Sequence, residues 1–224
     1  MKHAFTLGRP LAWRFALTAL SAAALLAPLS GCAPLVVSAA VGGTVLVATD
    51  RRTSGAQLED QAIELKAANR LREQLGERGR INVTSFNRRV LLTGEIASEA
   101  DRQTVLRVVQ GVENVVAVVD ELAVMGSPSL SARSADALVT ARVKAALLDA
   151  KDLQANAFKV VTERGTVYLM GLVTQREANR AAEVVRTVPG VQRVVRVFEI
   201  ISEAELARLQ PPPPPQNTPA TPPQ

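Results

Sequence analysis

A chain of 224 residues, 47% hydrophobic and 3% aromatic, can bury one or two small cores, and its formal net charge is +5. The single Cys excludes a disulfide within the chain. The few aromatic residues count against stacking of single-stranded nucleic acid, so no nucleic-acid partner is expected. Neither a Gly-rich phosphate loop nor a Gly-x-Ser-x-Gly element occurs.

The N-terminus has the three-part layout of a secretory signal. It is basic at Lys2, Arg9 and Arg14, contains no acidic residue, and continues into an Ala- and Leu-rich run that ends in Leu29-Ser30-Gly31-Cys32. This ending resembles a bacterial lipobox. The resemblance implies that residues 1–31 are removed and that Cys32 is acylated with diacylglycerol and palmitate. An ordinary signal peptide with a coincidental cysteine, or a short transmembrane helix, are the alternatives.

Cleavage before Cys32 changes the composition and the net charge of the chain. It removes His3, Trp13 and three basic residues, which leaves 23 basic and 21 acidic residues and a net charge of +2. Without His or a free thiol, His-based acid–base catalysis, Cys nucleophiles and His- or Cys-ligated zinc are excluded. Catalysis by carboxylates alone stays possible, but the Asp and Glu residues are scattered on predicted helices, where they are interpreted as solvated. We therefore predict no enzyme, no catalytic or metal-binding residues, no cofactor and no small-molecule substrate.

The sequence contains an internal repeat. Two apolar, β-branched runs around a polar turn, at 81–94 and 158–171, predict a hairpin in each copy. Apolar spacing predicts one helix before and one helix after each hairpin, and a Val-rich final strand. The predicted helices are 57–75, 98–110, 134–149 and 175–188, the final strands are 112–124 and 191–201, and a short helix covers 202–209.

This order predicts an α+β fold in which each copy is a three-stranded sheet with two helices on one face. A unit of about 70 residues is marginally stable alone. Its bare sheet face, or a helix edge, is expected to meet the other copy or another surface.

The second copy resembles a BON domain. The resemblance rests on Val167-Tyr168-Leu169-Met170-Gly171-Leu172-Val173-Thr174, on Arg176-Glu177-Ala178 and on Val188-Pro189-Gly190-Val191, with a weaker first copy in Val90-Leu91-Leu92-Thr93-Gly94 and Gly111-Val112. Lipobox, linker and two such units resemble the dual BON-domain outer-membrane lipoproteins of Gram-negative bacteria, of the DolP kind. That family implies an anchored, periplasm-facing protein that binds anionic phospholipid and supports outer-membrane integrity.

The expected organisation follows from these segments. Residues 1–31 are the signal peptide, 32–56 the lipidated N-terminus and tether, 57–125 and 131–201 the two BON domains, and 202–224 a short helix with a Pro-rich tail. The stretch 34–48 is too short and too Gly-interrupted to span a bilayer. Asp50-Arg51-Arg52 are interpreted as solvated charges, with headgroup contact as the alternative.

Charge divides unequally between the copies. Residues 57–125 hold nine basic and eleven acidic residues, whereas 131–201 hold eleven basic and seven acidic ones, so the net charges are −2 and +4. On the helix 134–149, Ala135, Val139, Val143, Ala146, Leu147 and Ala150 form a core stripe. A second apolar strip with cations beside it predicts a lipid-binding surface made of Leu138, Ala141, Arg142, Lys144, Ala145, Leu148 and Lys151.

Three alternatives remain open. Leu138 and Leu148 could instead pack against the first copy, where the equivalent strip (Leu58, Ala62, Leu65, Asn69, Arg72) is broken by polar residues. The protein could be an interaction scaffold for outer-membrane assembly machinery. It could also be an envelope hydrolase, in which case a deep pocket is expected between the domains.

Overall fold

The computed structural model describes residues 50–76 and 78–209. The signal peptide, Cys32, the apolar stretch 34–48 and the Pro-rich tail lie outside these described residues. Within them the chain forms two copies of one unit, as the repeat predicts. In the part of the chain that the structure describes, no helix is both long enough and apolar enough to cross a membrane.

The first copy has the predicted order of elements. Its first helix starts behind Thr53, whose hydroxyl oxygen accepts a hydrogen bond from Ala56 N at 3.1 Å. Its second helix starts behind Ser98, which accepts from Asp101 N at 3.1 Å. The elements are α1 (Ser54–Leu75), β1 (Gly79–Phe86), β2 (Arg89–Ile96), α2 (Glu99–Gln110) and β3 (Ala117–Val124).

The second copy repeats this order with one insertion. A single 3₁₀ turn, Ala155–Ala157, shortens its first strand to five residues. Thr174 and Glu177 cap its second helix reciprocally through a capping box. The elements are α3 (Leu130–Asp149), β4 (Lys159–Glu163), β5 (Thr166–Val173), α4 (Gln175–Arg186), β6 (Arg193–Ile200) and a final helix α5 (Glu203–Leu209).

In each sheet the second strand is central, antiparallel to the first strand and parallel to the third. The two helices of each copy pack on one face of its sheet and bury an apolar core there. In the first copy, Val90 and Leu92 of β2 pack with Ile63 of α1 and Val105 of α2. The predicted α+β architecture of two tandem units, each a three-stranded sheet with two helices on one face, is therefore confirmed.

A carboxylate on the first helix of each copy holds the hairpin turn. Asp60 accepts hydrogen bonds from both backbone N–H groups of Asn87-Arg88 at 2.7 Å, and Asp136 accepts from both N–H groups of Arg164-Gly165 at 2.8 Å. The φ angles are 49° and 64° in the first turn and 52° and 69° in the second. Two-residue turns with positive φ match the twist of the flanking strands.

The two copies pack sheet against sheet. The faces that the helices leave bare share one apolar cluster, to which Phe86 and Leu91 contribute from the first copy and Tyr168, Met170, Leu172 and Val197 from the second. Tyr168 is fully buried, and its hydroxyl donates to Glu121 Oε2 at 3.2 Å. The bare sheet face, rather than a helix edge, is thus the surface that meets the other copy.

The interpretation of Arg51 and Arg52 as solvated or headgroup-binding charges is wrong. Arg51 is 5% exposed and forms an ion pair with Glu177 at 2.7 Å. Arg52 pairs with Asp60 at 2.7 Å and lies over the Phe86 ring, 4.1 Å from its centroid. Arg51 faces a carboxylate 126 residues away, so local composition could not reveal its partner, whereas Asp60 lies only eight residues from Arg52.

Candidate membrane-docking face

One face of α3 is buried in the core of the second copy. Val139, Val143 and Leu147 are 6%, 0% and 1% exposed. The helical spacing assigned Ala135 to this stripe, but Ala135 is exposed. Residues 130–135 all lie outside the core, and the first buried residue of α3 is Val139. Since the sheets meet on the other side of each unit, no described element covers the opposite face of α3.

The predicted apolar strip lies on that uncovered face. Leu138 and Leu148 are 52% and 67% exposed, and Ala141 and Ala145 between them are also exposed. Their spacing of three, four and three residues places them along one side of the helix. The alternative in which Leu138 and Leu148 pack against the first copy does not hold in this structure.

Two members of this strip were not predicted from the sequence. Leu130, the first residue of α3, is 73% exposed, and Ala137 is exposed one turn before Ala141. Leu130 was missed because the helix was predicted to start at Ser134. Ser129, whose hydroxyl accepts from Ala132 N at 3.2 Å, is the N-cap signal that would have extended the helix to Leu130.

Cations flank the strip on both sides. Arg142 lies on one flank, together with the acidic Asp149, and its Nη1 donates to Pro189 O at 3.3 Å. On the other flank, Arg133 and Lys144 lie eleven residues apart on α3, and Lys151 follows just after the helix ends at Asp149; all three are exposed. Among the described residues, none of these three takes part in a salt bridge.

The equivalent helix of the first copy differs in charge. Lys66 and Arg70 on α1 pair with Glu113 at 3.5 and 2.8 Å. A hydrogen bond from the backbone of Glu113 and another from Arg70 lower the pKa of Glu113 to about 2, so this carboxylate is ionised at neutral pH. Lys66 and Arg70 of α1 are therefore neutralised in place, whereas Arg133, Lys144 and Lys151 form no salt bridge within the described residues.

A groove of about 370 Å³ opens beside the C-terminal half of α3. Leu147, Leu148 and Phe158 supply part of its apolar lining, and Lys144 supplies a cation. Asp50, the first residue that the structure describes, also lines this groove. The first described residue therefore lies next to the candidate docking face.

Both copies match the BON domain family, at residues 59–126 and 135–202. The chain belongs to the BON-domain family. It is 37% identical, over 177 residues, to the outer membrane lipoprotein DolP of Haemophilus influenzae, a match that covers 77% of this chain and 90% of that protein. This relationship confirms the predicted outer-membrane location, whereas acylation of Cys32 stays a prediction.

Other known proteins are similar to this chain. The 21 kDa hemolysin of Actinobacillus pleuropneumoniae is 32% identical over 154 residues, which cover 68% of this chain and 79% of that protein. Among solved structures, one of CdsD, a structural protein of the Chlamydia trachomatis type III secretion system, is similar to this chain. The match covers 70% of this chain and 99% of that chain, at 15% sequence identity and a TM-score of 0.27. That structural likeness is too low to carry an argument.

Proposed function

We propose that this protein is a non-enzymatic lipoprotein that faces the periplasm, docks on anionic phospholipid through α3 and supports outer-membrane integrity. The observation that carries the proposal is the exposed apolar strip of α3, flanked by cations that have no carboxylate partner within residues 50–76 and 78–209. Apolar side chains between cations are the pattern of helices that lie in a membrane interface.

The position of Asp50 supports the same docking face. Cys32 lies eighteen residues before Asp50, so an acylated Cys32 is at most about 65 Å from the groove beside Leu148. A single membrane can therefore hold the lipid anchor and receive α3 at the same time. The chain needs no spanning helix for this arrangement.

The energetic role of docking follows from the anchor. Several acyl chains hold a lipoprotein firmly, so the domain adds little to retention. Each basic side chain near an anionic surface contributes on the order of 1 kcal/mol, and the attraction is screened by salt. Docking through α3 therefore sets the orientation of the protein and its preference for anionic lipid regions.

The test uses the chain without residues 1–32 and vesicles with or without anionic lipid, across a series of salt concentrations. We expect binding that needs anionic lipid and weakens as salt rises. Equal binding to zwitterionic and anionic vesicles would leave the proposal without support. The protein should include residues 50–56, because Arg51 is part of the folded unit.

An interaction scaffold is the second candidate, and one observation favours it. A groove of about 660 Å³ lies between α1, β1 and β4, away from the face of α3. Partners from the outer-membrane assembly machinery would then contact the first copy, and vesicle affinity would be low.

A further inference from the structure

β1 has one free edge. It pairs only with β2 among the described strands, and the two-residue turn makes Phe86 and Arg89 a hydrogen-bonded pair. Because hydrogen bonding alternates along an antiparallel ladder, the backbone groups of Ile81, Val83 and Ser85 point away from β2. Ser85 bears this out, since its N donates to Glu64 Oε1 at 2.7 Å and its O accepts from Lys159 Nζ at 3.1 Å.

Ile81 and Val83 differ from Ser85 in the hydrogen bonding of their outward backbone groups. Within residues 50–76 and 78–209, no side chain or loop hydrogen-bonds to the backbone N–H or C=O of either residue. At Ser85 the edge is blocked, because Glu64 and Lys159, which form an ion pair at 2.9 Å, occupy its backbone N–H and C=O groups. The open part of the edge therefore offers two donors and two acceptors, one of each on Ile81 and on Val83.

The groove of about 660 Å³ runs along this open part. Leu65 and Ala68 of α1 line one wall, Val161 and Thr162 of β4 line the other, and residues 81–84 form the base. Leu65 is 64% exposed. A strand added to β1 would continue the sheet between these two walls and bury both of its faces.

The other strand edges are protected by charge or by short length. β4 has five residues with Lys159 and Glu163 at its ends, β3 carries Asp120 and Glu121, and β6 carries Arg193, Arg196 and Glu199. Charged side chains and short length are the usual means of blocking edge-to-edge pairing. Residues 81–84 carry no charge at all.

We propose that the edge of β1 binds an extended, uncharged segment of another protein, which adds to the sheet as a fourth strand. The unpaired backbone groups select an extended backbone, as in other cases of strand addition. The walls select uncharged side chains on both faces of the segment, because Glu64 and Glu163 already pair with Lys159 and Arg80. The Pro-rich tail of this chain does not suit the site, since Pro lacks the N–H donor.

The experiment selects peptides of about twelve residues from a random display library against the full chain in detergent. Selected peptides should share uncharged β-branched or aromatic runs. Their binding should slow amide exchange at Ile81 and Val83 by about tenfold or more, while Asn82 and Thr84, already bonded to β2, change little.

Three variants decide the outcome. Leu65→Glu places a charge on the wall and should weaken peptide binding about tenfold or more, whereas Leu58→Glu, at 69% exposure on the same helix but outside the groove, should change it less than about twofold. Ile81→Pro removes an outward N–H without removing a bond to β2, and should also abolish binding.

The proposal is overturned if no peptide is enriched, if Leu65→Glu binds as well as the parent chain, or if amide protection maps elsewhere. Protection of Ile81 that depends on protein concentration without peptide would instead identify β1 as a contact between copies of this chain. Vesicle binding is measured on the same variants and should not change, which separates this site from α3.

Discussion

Arg51 and Glu177 form a buried ion pair that joins the segment before α1 to the start of α4. The atoms Nη2 and Oε1 are 2.7 Å apart, and Nη1 and Oε2 are 2.8 Å apart. Arg51 also donates to Leu172 O at 2.8 Å, and Glu177 accepts from Thr174 N at 3.0 Å. The residues that lead into the first copy are thus part of the helix cap of the second copy.

Replacement of Arg51 by Ala should lower the free energy of unfolding by about 3–5 kcal/mol, because it leaves a buried carboxylate unpaired. Burial alone would raise the pKa of Glu177, but the hydrogen bonds from Arg51 and from the backbone of Thr174, together with the positive charges of Arg51 and Arg176, lower it overall. Urea denaturation measures the loss. Arg176→Ala is the control, since its exposed pair with Glu203 at 3.9 Å should contribute less than about 1 kcal/mol. Equal losses in the two variants would contradict this role.

Local patterns predicted the fold but not the long-range polar contacts. The hairpin turns and the helical spacing predict the elements and the inward-facing residues, because each depends on neighbours within a few positions. The repeat then shows that the same order of elements occurs twice. Arg51 and Glu177 are 126 residues apart, and nothing in their neighbourhoods pairs them. Sheet-against-sheet packing was likewise one of several arrangements that the pattern allowed.

The candidate docking face was partly predictable for the same reason. Helical spacing identified Leu138 and Leu148, and the structure leaves both exposed. Leu130 was missed because Ser129 was not recognised as a cap. Lys144 forms no salt bridge in the described ranges. This could not be predicted from the sequence, because folding could have brought a carboxylate from any element next to Lys144.

The contribution of Asp60 to stability should depend on pH. Burial alone would raise its pKa, but hydrogen bonds from Ser85, from the backbone of Arg88, from Arg52 and from the backbone of Asn87 lower it overall. A carboxylate with a lowered pKa in the folded state stabilises the fold above its ordinary pKa. This contribution is lost as the pH falls through the folded-state value.

Asp60→Asn should therefore be less stable than the parent chain at neutral pH, by about 1.5–3 kcal/mol. The difference in Tm should shrink as the pH is lowered from about 7 to about 2, because the parent carboxylate becomes protonated. Other acids titrate in both chains and cancel in the comparison. A Tm difference that does not vary with pH would show that the Asp60 charge is not responsible.

The two hairpin turns offer a matched pair of backbone substitutions. Arg88 is exposed and has a φ of 64°, a conformation that favours Gly. Arg88→Gly should stabilise the protein by up to about 1 kcal/mol. Gly165→Ala should destabilise it, because the φ of 69° disfavours Ala and the new Cβ would lie 2.8 Å from Gln192 Cδ. Thermal unfolding of both variants tests the pair, and a lower Tm for Arg88→Gly would contradict the argument.

Lys144→Glu should weaken binding to anionic vesicles by about 1–2 kcal/mol, which is roughly five- to thirtyfold in Kd. The cation has no salt-bridge partner in the described part of the chain, so its charge is available to the lipid. Lys66→Glu makes the same change on α1, where Glu113 already neutralises the side chain at 3.5 Å. It should alter vesicle affinity much less. Vesicle sedimentation at low and high salt measures both, and similar losses would indicate only a net-charge effect.

Leu148 and Leu58 provide the sharpest test of which helix docks. Their exposures are 67% and 69%, so substitution by Glu changes a solvated Leu in both cases and should alter stability equally little. Burial of Leu148 in the interface is worth about 1.5–3 kcal/mol, so Leu148→Glu should weaken vesicle binding about tenfold or more. Leu58→Glu adds the same negative charge on the first copy and should leave binding nearly unchanged. If Leu58→Glu weakens binding as much as Leu148→Glu, docking does not depend on the face of α3, because charge alone would account for both losses.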